Sequence, residues 1–247
     1  MQHPSVEKLF QEQVDYYSRR DQSAMKSPII SLFLEWAGKN SSRKLKIAEF
    51  GGAAGQLLTQ INKAYSKSEL TNIELIASYR DRQIFKKINF VYGSILDSKF
   101  KEKSFDCLII RDVLHHLIGK DYQETRNNQK KALKELWRLL KPGGVIFVEE
   151  LVDKSRFAVR LIYVLSKLNS RLGFNWPALE INSKSIVAFL TPPKLAKIAG
   201  EIFGKNNLAK INYERDRDWR QRISHLGSSS GKMTIVVEKP LDRMRSL

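Results

Sequence analysis

A single cysteine, Cys107, leaves the chain without an intrachain disulfide and without the thiolates of a metal cage. A reducing compartment, the cytoplasm, is the expected setting. Long apolar runs are also missing. Nowhere do about 18 uncharged apolar residues stand together, and the opening stretch MQHPSVEKLFQEQVDYYSRR lacks the apolar segment of a secretory signal. The expectation is a protein that is soluble or, at most, peripheral to a membrane. Neither an internal repeat nor a low-complexity tract occurs, which excludes solenoids and linker-like chains. Acid is the scarce charge: 26 Asp and Glu face 43 Lys and Arg, a formal net charge of +17. That excess favours an anionic contact, and charge alone does not choose among RNA, an acidic lipid surface and an acidic substrate.

What is present is enough for one sizeable core: 247 residues with 42% hydrophobic content suit a single α/β domain. Short β-like runs alternate with longer helical patterns. The runs are residues 44–50, 72–77, 88–92, 105–110, 144–149, 207–213 and 233–238. Helical spacing falls near 55–66, 79–87, 124–140 and 192–203. This order predicts a doubly wound, mostly parallel seven-stranded sheet with helices on both faces. Within the single domain 1–247, residues 1–40 read as a helical lead-in whose second helix opens at Ser27-Pro28, and 41–150 as a ligand-binding core. Residues 151–190 read as a helical lid insertion, and 191–247 as the last part of the sheet.

The stretch KLKIAEFGGAAGQLL runs from a strand pattern through small residues directly into a helix pattern. Gly51, Gly52, Ala53 and Gly55 let the backbone bend sharply and approach a ligand, while the helix that follows offers unpaired N–H groups. Such a turn suits a carboxylate, phosphate or ribose. It also suits tight packing alone.

Four blocks in order resemble the class I S-adenosylmethionine-dependent methyltransferases over roughly residues 40–150: EFGGAAG, VYGSILD, KSFDCLIIRDVLHHL and ALKELWRLLKPGGVIFVEE. The resemblance implies a Rossmann-like fold and the cofactor S-adenosylmethionine, with S-adenosylhomocysteine as its product. It implies cofactor contacts from Glu49, Gly51, Gly52, Ala53 and Gly55 at the first strand. Ser78 and Tyr79 are implied at the second strand, Ser94 and Ile95 at the third, and Arg111 at the fourth. Two positions depart from the family pattern. Ser78 stands where the second strand ordinarily ends in an acid, and Ser94 where an Asp commonly meets the adenine, with Asp97 close by as a substitute.

RDVLHH also resembles the exit loop of small-molecule O-methyltransferases, which implies His115 as a general base with Asp112 orienting its ring. Packing or capping is the plainer reading of His115 and His116, and adjacent histidines without a nearby cysteine do not suggest a metal. Beyond residue 150, Phe157, Leu161, Val164, Leu165, Leu168 and Leu172 form one helical stripe, with Arg156, Arg160, Lys167 and Arg171 beside it. The stripe reads as lid packing over an acceptor pocket, with Trp176 and Pro177 after it, or as a helix lying on a lipid surface. The expected enzyme methylates a small or lipophilic acceptor at oxygen. The alternatives are an RNA methyltransferase, which the charge and the arginine-rich stretch 213–232 favour, and a non-catalytic nucleoside-binding protein, which Ser78 and Ser94 favour.

Overall fold

A computed structural model describes residues 27–39, 43–175, 185–215 and 230–241, together with Gln11 and Val14. Seven strands form one sheet in the order β3-β2-β1-β4-β5-β7-β6. They are β1 (Leu45–Phe50), β2 (Ser68–Glu74), β3 (Asn89–Tyr92), β4 (Phe105–Arg111), β5 (Leu140–Asp153), β6 (Leu208–Arg215) and β7 (Ser230–Glu238). The first five run parallel, and β7 lies antiparallel between β5 and β6. The helices are α1 (Ile29–Gly38), α2 (Gln56–Ala64), α3 (Tyr122–Leu139), α4 (Arg156–Leu172) and α5 (Pro192–Phe203). This is the doubly wound architecture that the alternating pattern predicts.

The central strands are apolar on both sides because both of their faces are covered. Ala48, Phe50, Leu108, Ile110 and Val148 pack on one side with Leu133 and Leu136 of α3 and Ile198 and Phe203 of α5. Ile47, Cys107, Ile109 and Phe147 pack on the other with Phe33 of α1 and Leu57 and Ile61 of α2. Each fully buried Leu or Phe contributes about 1.5–3 kcal/mol relative to exposure. Burial also holds the Cys107 thiol well above its ordinary range, which makes it a packing residue.

Local chemistry sets the helix ends. Asp121 caps α3 by accepting from the Glu124 N–H at 2.8 Å, while Glu124 accepts from the Lys120 N–H at 2.8 Å. Ser155 caps α4 through the Ala158 N–H, and Gly173 closes it in the left-handed conformation at φ 77°.

Three expectations change. The helix predicted over 79–87 is replaced by a short 3-10 turn, Ala77–Tyr79, followed by turns. Of its apolar residues, Phe85 packs beside Ile88 on the α2 side of the sheet, Tyr79 is buried with Ala54 and Ile76, and Ile84 is exposed. The second strand runs 68–74 rather than 72–77, because its register is set by β1, where Leu45 lies opposite Ser68 and Glu49 opposite Asn72. The fifth strand begins at Leu140, and the Lys-Pro-Gly-Gly segment sits inside it as an irregularity. Between Phe105/Leu140 and Cys107/Val145 the register shifts, and Gly143 takes φ 74°.

Candidate active site

The carboxyl ends of β1 to β5 share one edge of the sheet, the place where doubly wound folds bind ligands. At the end of β1 the chain turns through Gly51 at φ 75°, Ala53 at φ 47° and Gly55 at φ 75° before α2 begins. Ala53 is the exception among them, since a side chain disfavours this region by roughly 1–2 kcal/mol. Two side chains from β2 hold it there: Asn72 Nδ2 donates to the Ala53 carbonyl at 2.8 Å, and the Ala53 N–H donates to Glu74 Oε2 at 2.9 Å. Gly51 and Gly52 have no room for a side chain. A Cβ on Gly51 would lie 2.5 Å from Val113 Cγ2 of the β4 exit, and one on Gly52 would lie 2.6 Å from Asn72 Oδ1 and 2.8 Å from Glu49 Oε2.

Glu74 is the acid that the second strand seemed to lack. It is the last residue of β2 and is buried, with Oε1 accepting from the Ile76 N–H at 3.0 Å and Oε2 from Ala53. Burial raises its pKa, against the pull of these backbone N–H donors. The strand reading that ended at Ala77 moved the expected acceptor to Ser78, which lies four residues past the true end. There, Ser78 Oγ accepts from Gln11 Nε2 at 3.1 Å, and the neighbouring Tyr79 is buried with Val14, Ala54 and Ile76. Gln11 and Val14 therefore touch this side of the edge. Ser94 caps the 3-10 turn Ile95–Asp97 by accepting from the Leu96 N–H at 3.2 Å, and Ile95 is buried in the core. Asp97, the expected substitute, is 76% exposed and accepts from Lys99 Nζ at 2.7 Å.

At the end of β4, Arg111 Nε lies 3.9 Å from Glu49 Oε1, with both side chains buried. Asp112 follows at φ 54°, and its Oδ2 accepts from Lys232 Nζ at 2.7 Å. Burial raises the Asp112 pKa, but the charges of Lys232 and Arg111 outweigh it and the net shift is downward. Lys232 comes from β7 and also reaches Glu149 Oε1 at 3.3 Å, while Glu149 Oε2 accepts from Ser27 Oγ at 2.8 Å. Burial lowers the Lys232 pKa, and Asp112 and Glu149 more than restore it.

The partner of His115 is therefore not Asp112, whose carboxylate is drawn to Lys232. Glu150 takes that place: its Oε1 lies 2.5 Å from His115 Nδ1, and its Oε2 accepts from the Leu114 N–H at 2.6 Å. The pair is buried, at 6% and 1% side-chain exposure. Burial lowers the His115 pKa, but the charge and hydrogen bond of Glu150, helped by Asp112, bring it above the ordinary value. For His116, burial and the His115 charge hold the pKa well below the ordinary range. Phe189 lies over the His115 ring at a centroid distance of 5.1 Å. Its strap is tied down by the Ala188 N–H donating to the His115 carbonyl, by Gln129 Nε2 donating to Ala188 O at 2.9 Å and by Arg126 NH2 donating to Phe189 O at 2.8 Å.

Sequence reasoning thus missed Asn72, Glu74, Glu150, Lys232 and Phe189. Glu74 and Glu150 carried a usable signal, an acid at the end of an apolar run. Lys232 and Phe189 carried none, because only the antiparallel return of β7 and the strap bring them to this edge. Trp176, Pro177 and most of the arginine-rich stretch lie outside the described residues.

The edge fits S-adenosylmethionine, a donor-rich, cationic ligand. Acids collect here in a basic chain: Glu49, Glu74, Asp112, Glu149 and Glu150. Three further acceptors, Asn72 Oδ1, Gln83 Oε1 and Asp112 Oδ1, are buried without a hydrogen-bond partner among the described residues.

A family model described as a methyltransferase domain matches residues 48–148. The UbiE ubiquinone/menaquinone biosynthesis C-methyltransferase of Serratia proteamaculans is 29% identical over 143 residues, 58% of this chain and 49% of that protein. A hybrid PKS-NRPS synthetase of Xenoacremonium sinensis is 29% identical over 124 residues, 44% of this chain and 3% of that protein. The chain thus spans about half the length of the UbiE relative and a small part of the synthetase. An S-adenosylmethionine-dependent methyltransferase of Methanosarcina mazei shares the fold at TM-score 0.59 and 15% identity, over 87% of this chain and 99% of that one. Residues 48–148, which hold the glycine turn and the exit of β4, are thus similar to a methyltransferase domain, and the fold is shared with a solved methyltransferase.

Proposed function

We propose that the chain methylates a small, lipophilic acceptor at an oxygen atom, with His115 as general base. The observation that carries this reading is the buried His115–Glu150 pair at the exit of β4. S-adenosylmethionine, when bound, supplies an electrophilic methyl group on a sulfonium. Gly51, Gly52, Ala53 and Gly55 would line its place, with Glu49 and Arg111 beside them, Glu74 accepting from ribose hydroxyls, and Tyr79, Ser94 and Ile95 shaping the adenine side.

The remaining chemistry belongs to the acceptor. Glu150 fixes the tautomer by accepting from Nδ1–H, which leaves Nε2 to take the acceptor's proton, and its negative charge stabilises the imidazolium that results. Asp112 acts through charge alone, as one of the groups that raise the His115 pKa. Phe189 shields the pair from water, which strengthens the interaction. With Glu74 at the end of β2, the non-catalytic reading loses one of the two departures that motivated it, and Ser94 remains the other.

The UbiE relative is named a C-methyltransferase, which favours carbon as a second acceptor atom. Carbon methylation also releases a proton, so the same base would serve. Transfer of labelled methyl from S-adenosylmethionine to hydroxylated aromatic or isoprenoid acceptors tests the proposal, with the product's methylated atom read by NMR. Label appearing in RNA and in no extractable small molecule would replace this reading with the RNA one.

A further inference from the structure

Most of the stripe on α4 is exposed. The helix is held by Ala158, Val159, Ile162 and Tyr163, which are buried against Phe189, Ile118 and Ala188. The side chains of the stripe point away from this contact: Phe157 is 74% exposed and Leu172 72%. Val164, Leu165 and Leu168 are each more than two-fifths exposed, and Phe174 just beyond the helix is 56% exposed. At 100° per residue, Phe157, Val164, Leu165, Leu168 and Leu172 fall within one arc of about 100°.

The charge beside that arc has one sign. From Arg156 to Asn175 there is no Asp or Glu, and Arg156, Arg160, Lys167 and Arg171 line one flank of the stripe. Arg160 lies over the Tyr122 ring at 4.0 Å and Lys167 donates to the Lys120 carbonyl, so these two are anchored to the body. Arg156 and Arg171 are exposed. The helix has 17 residues, and no helix among the described residues is long and apolar enough to cross a membrane.

We propose that α4 seats its outer face on an anionic phospholipid bilayer, lying in the plane of the headgroups. An apolar arc wide enough to enter the acyl boundary beside an all-basic flank is the pattern of an interfacial helix, and a chain of +17 adds long-range attraction to acidic lipid. A second copy of this chain fits the face poorly, because an isologous contact would bring the same arginines together. RNA fits it poorly too, since single strands need stacking platforms and the arc is mostly aliphatic. The opposite side of α4 rests on Phe189, which covers His115, so docking would place the bilayer on the same side as the candidate base. A lipid-soluble acceptor is the class such docking would deliver. That last step rests on the proposed methyl transfer, whereas the docking itself does not.

The test is flotation of the full chain with vesicles of phosphatidylcholine and phosphatidylglycerol in equal parts, against phosphatidylcholine alone, at physiological salt. Binding to the acidic vesicles only is expected. The triple variant Phe157→Ser, Leu168→Ser, Leu172→Ser should bind about tenfold or more weakly, with melting temperature and S-adenosylhomocysteine affinity retained because these side chains are exposed. Arg156→Glu with Arg171→Glu should weaken binding by roughly fivefold or more per site. Absence of wild-type flotation, or equal binding by wild type and the triple variant, would overturn the proposal. So would sedimentation showing a dimer that the triple variant dissolves. Flotation of a chain inactive on every acceptor would leave docking standing and overturn only the methyl-transfer reading.

Discussion

At the residue scale, His115 and Glu74 have environments that make opposite demands. His115 is held above the ordinary imidazole range by Glu150, so the pair adds stability fully below about pH 6.5 and loses it as pH rises through the folded value. Glu150→Gln should therefore cost about 1–3 kcal/mol of stability near pH 6 and less near pH 9, measured by denaturant melts at both. The same shift puts the rising limb of the pH–rate profile above about 6.5, and Glu150→Gln should move it down. His115→Ala should lower turnover about 10²–10⁴-fold with cofactor affinity nearly unchanged, and His116→Ala should mainly affect stability. Activity of His115→Ala equal to wild type at every pH would remove its assigned role. Glu74 is a buried acid with a raised pKa, a cost to the free protein that a bound ribose would offset. Glu74→Gln should weaken S-adenosylhomocysteine binding by about tenfold in calorimetry, whereas Ser78→Ala should change it little.

At the scale of elements, the glycine turn and the β4 exit are one packed unit. A side chain on Gly51 must displace Val113, the residue that leads into the His115 turn, as well as leave the left-handed region. Gly51→Val should abolish cofactor binding and cost about 1–3 kcal/mol of stability; calorimetry showing wild-type affinity would disconnect the turn from the cofactor. The strap over His115 offers a separate handle. Arg126 and Gln129 are buried on α3 and donate to the carbonyls of Ala188 and Phe189. Gln129→Leu should leave the Ala188 carbonyl short of a donor and speed hydrogen exchange at the Ala188 amide, which now donates to His115. Unchanged exchange there would show that the strap is held by its apolar contacts alone.

At the scale of the whole molecule, the chain carries a large basic excess, while four of its buried acids, Glu49, Glu74, Glu149 and Glu150, gather at one sheet edge. That separation suits a cationic cofactor inside an anion-seeking exterior. Diffuse attraction to RNA or acidic lipid should fade as screening shortens to about 8 Å at physiological ionic strength, leaving only contacts that also bury apolar surface. Filter binding against a panel of RNA sequences should show weak, sequence-blind, salt-sensitive retention. Tight and selective retention at physiological salt would favour an RNA substrate.

Sequence alone determined the order of the seven strands and of the helices other than the one expected over 79–87, the turn at Gly51 to Gly55, and the exit loop that carries His115. Each is a local pattern: apolar runs of strand length, glycines that permit positive φ, helix caps. The chain pattern also showed α4 as amphipathic with a basic flank. Tertiary structure decided what pattern cannot encode. Strand register against β1 made Glu74, not Ser78, the residue at the end of β2. The right partner for His115 lies 35 residues away because β4 and β5 run side by side, and Asp112 is turned aside by Lys232 from 120 residues further on. Which face of α4 meets the core was likewise settled by Phe189, Ile118 and Ala188, which bury Ala158, Val159, Ile162 and Tyr163 and leave Phe157 and Leu172 to solvent. Periodicity places residues on a common face; only packing against distant elements selects the face that is buried and the charge that finds its partner.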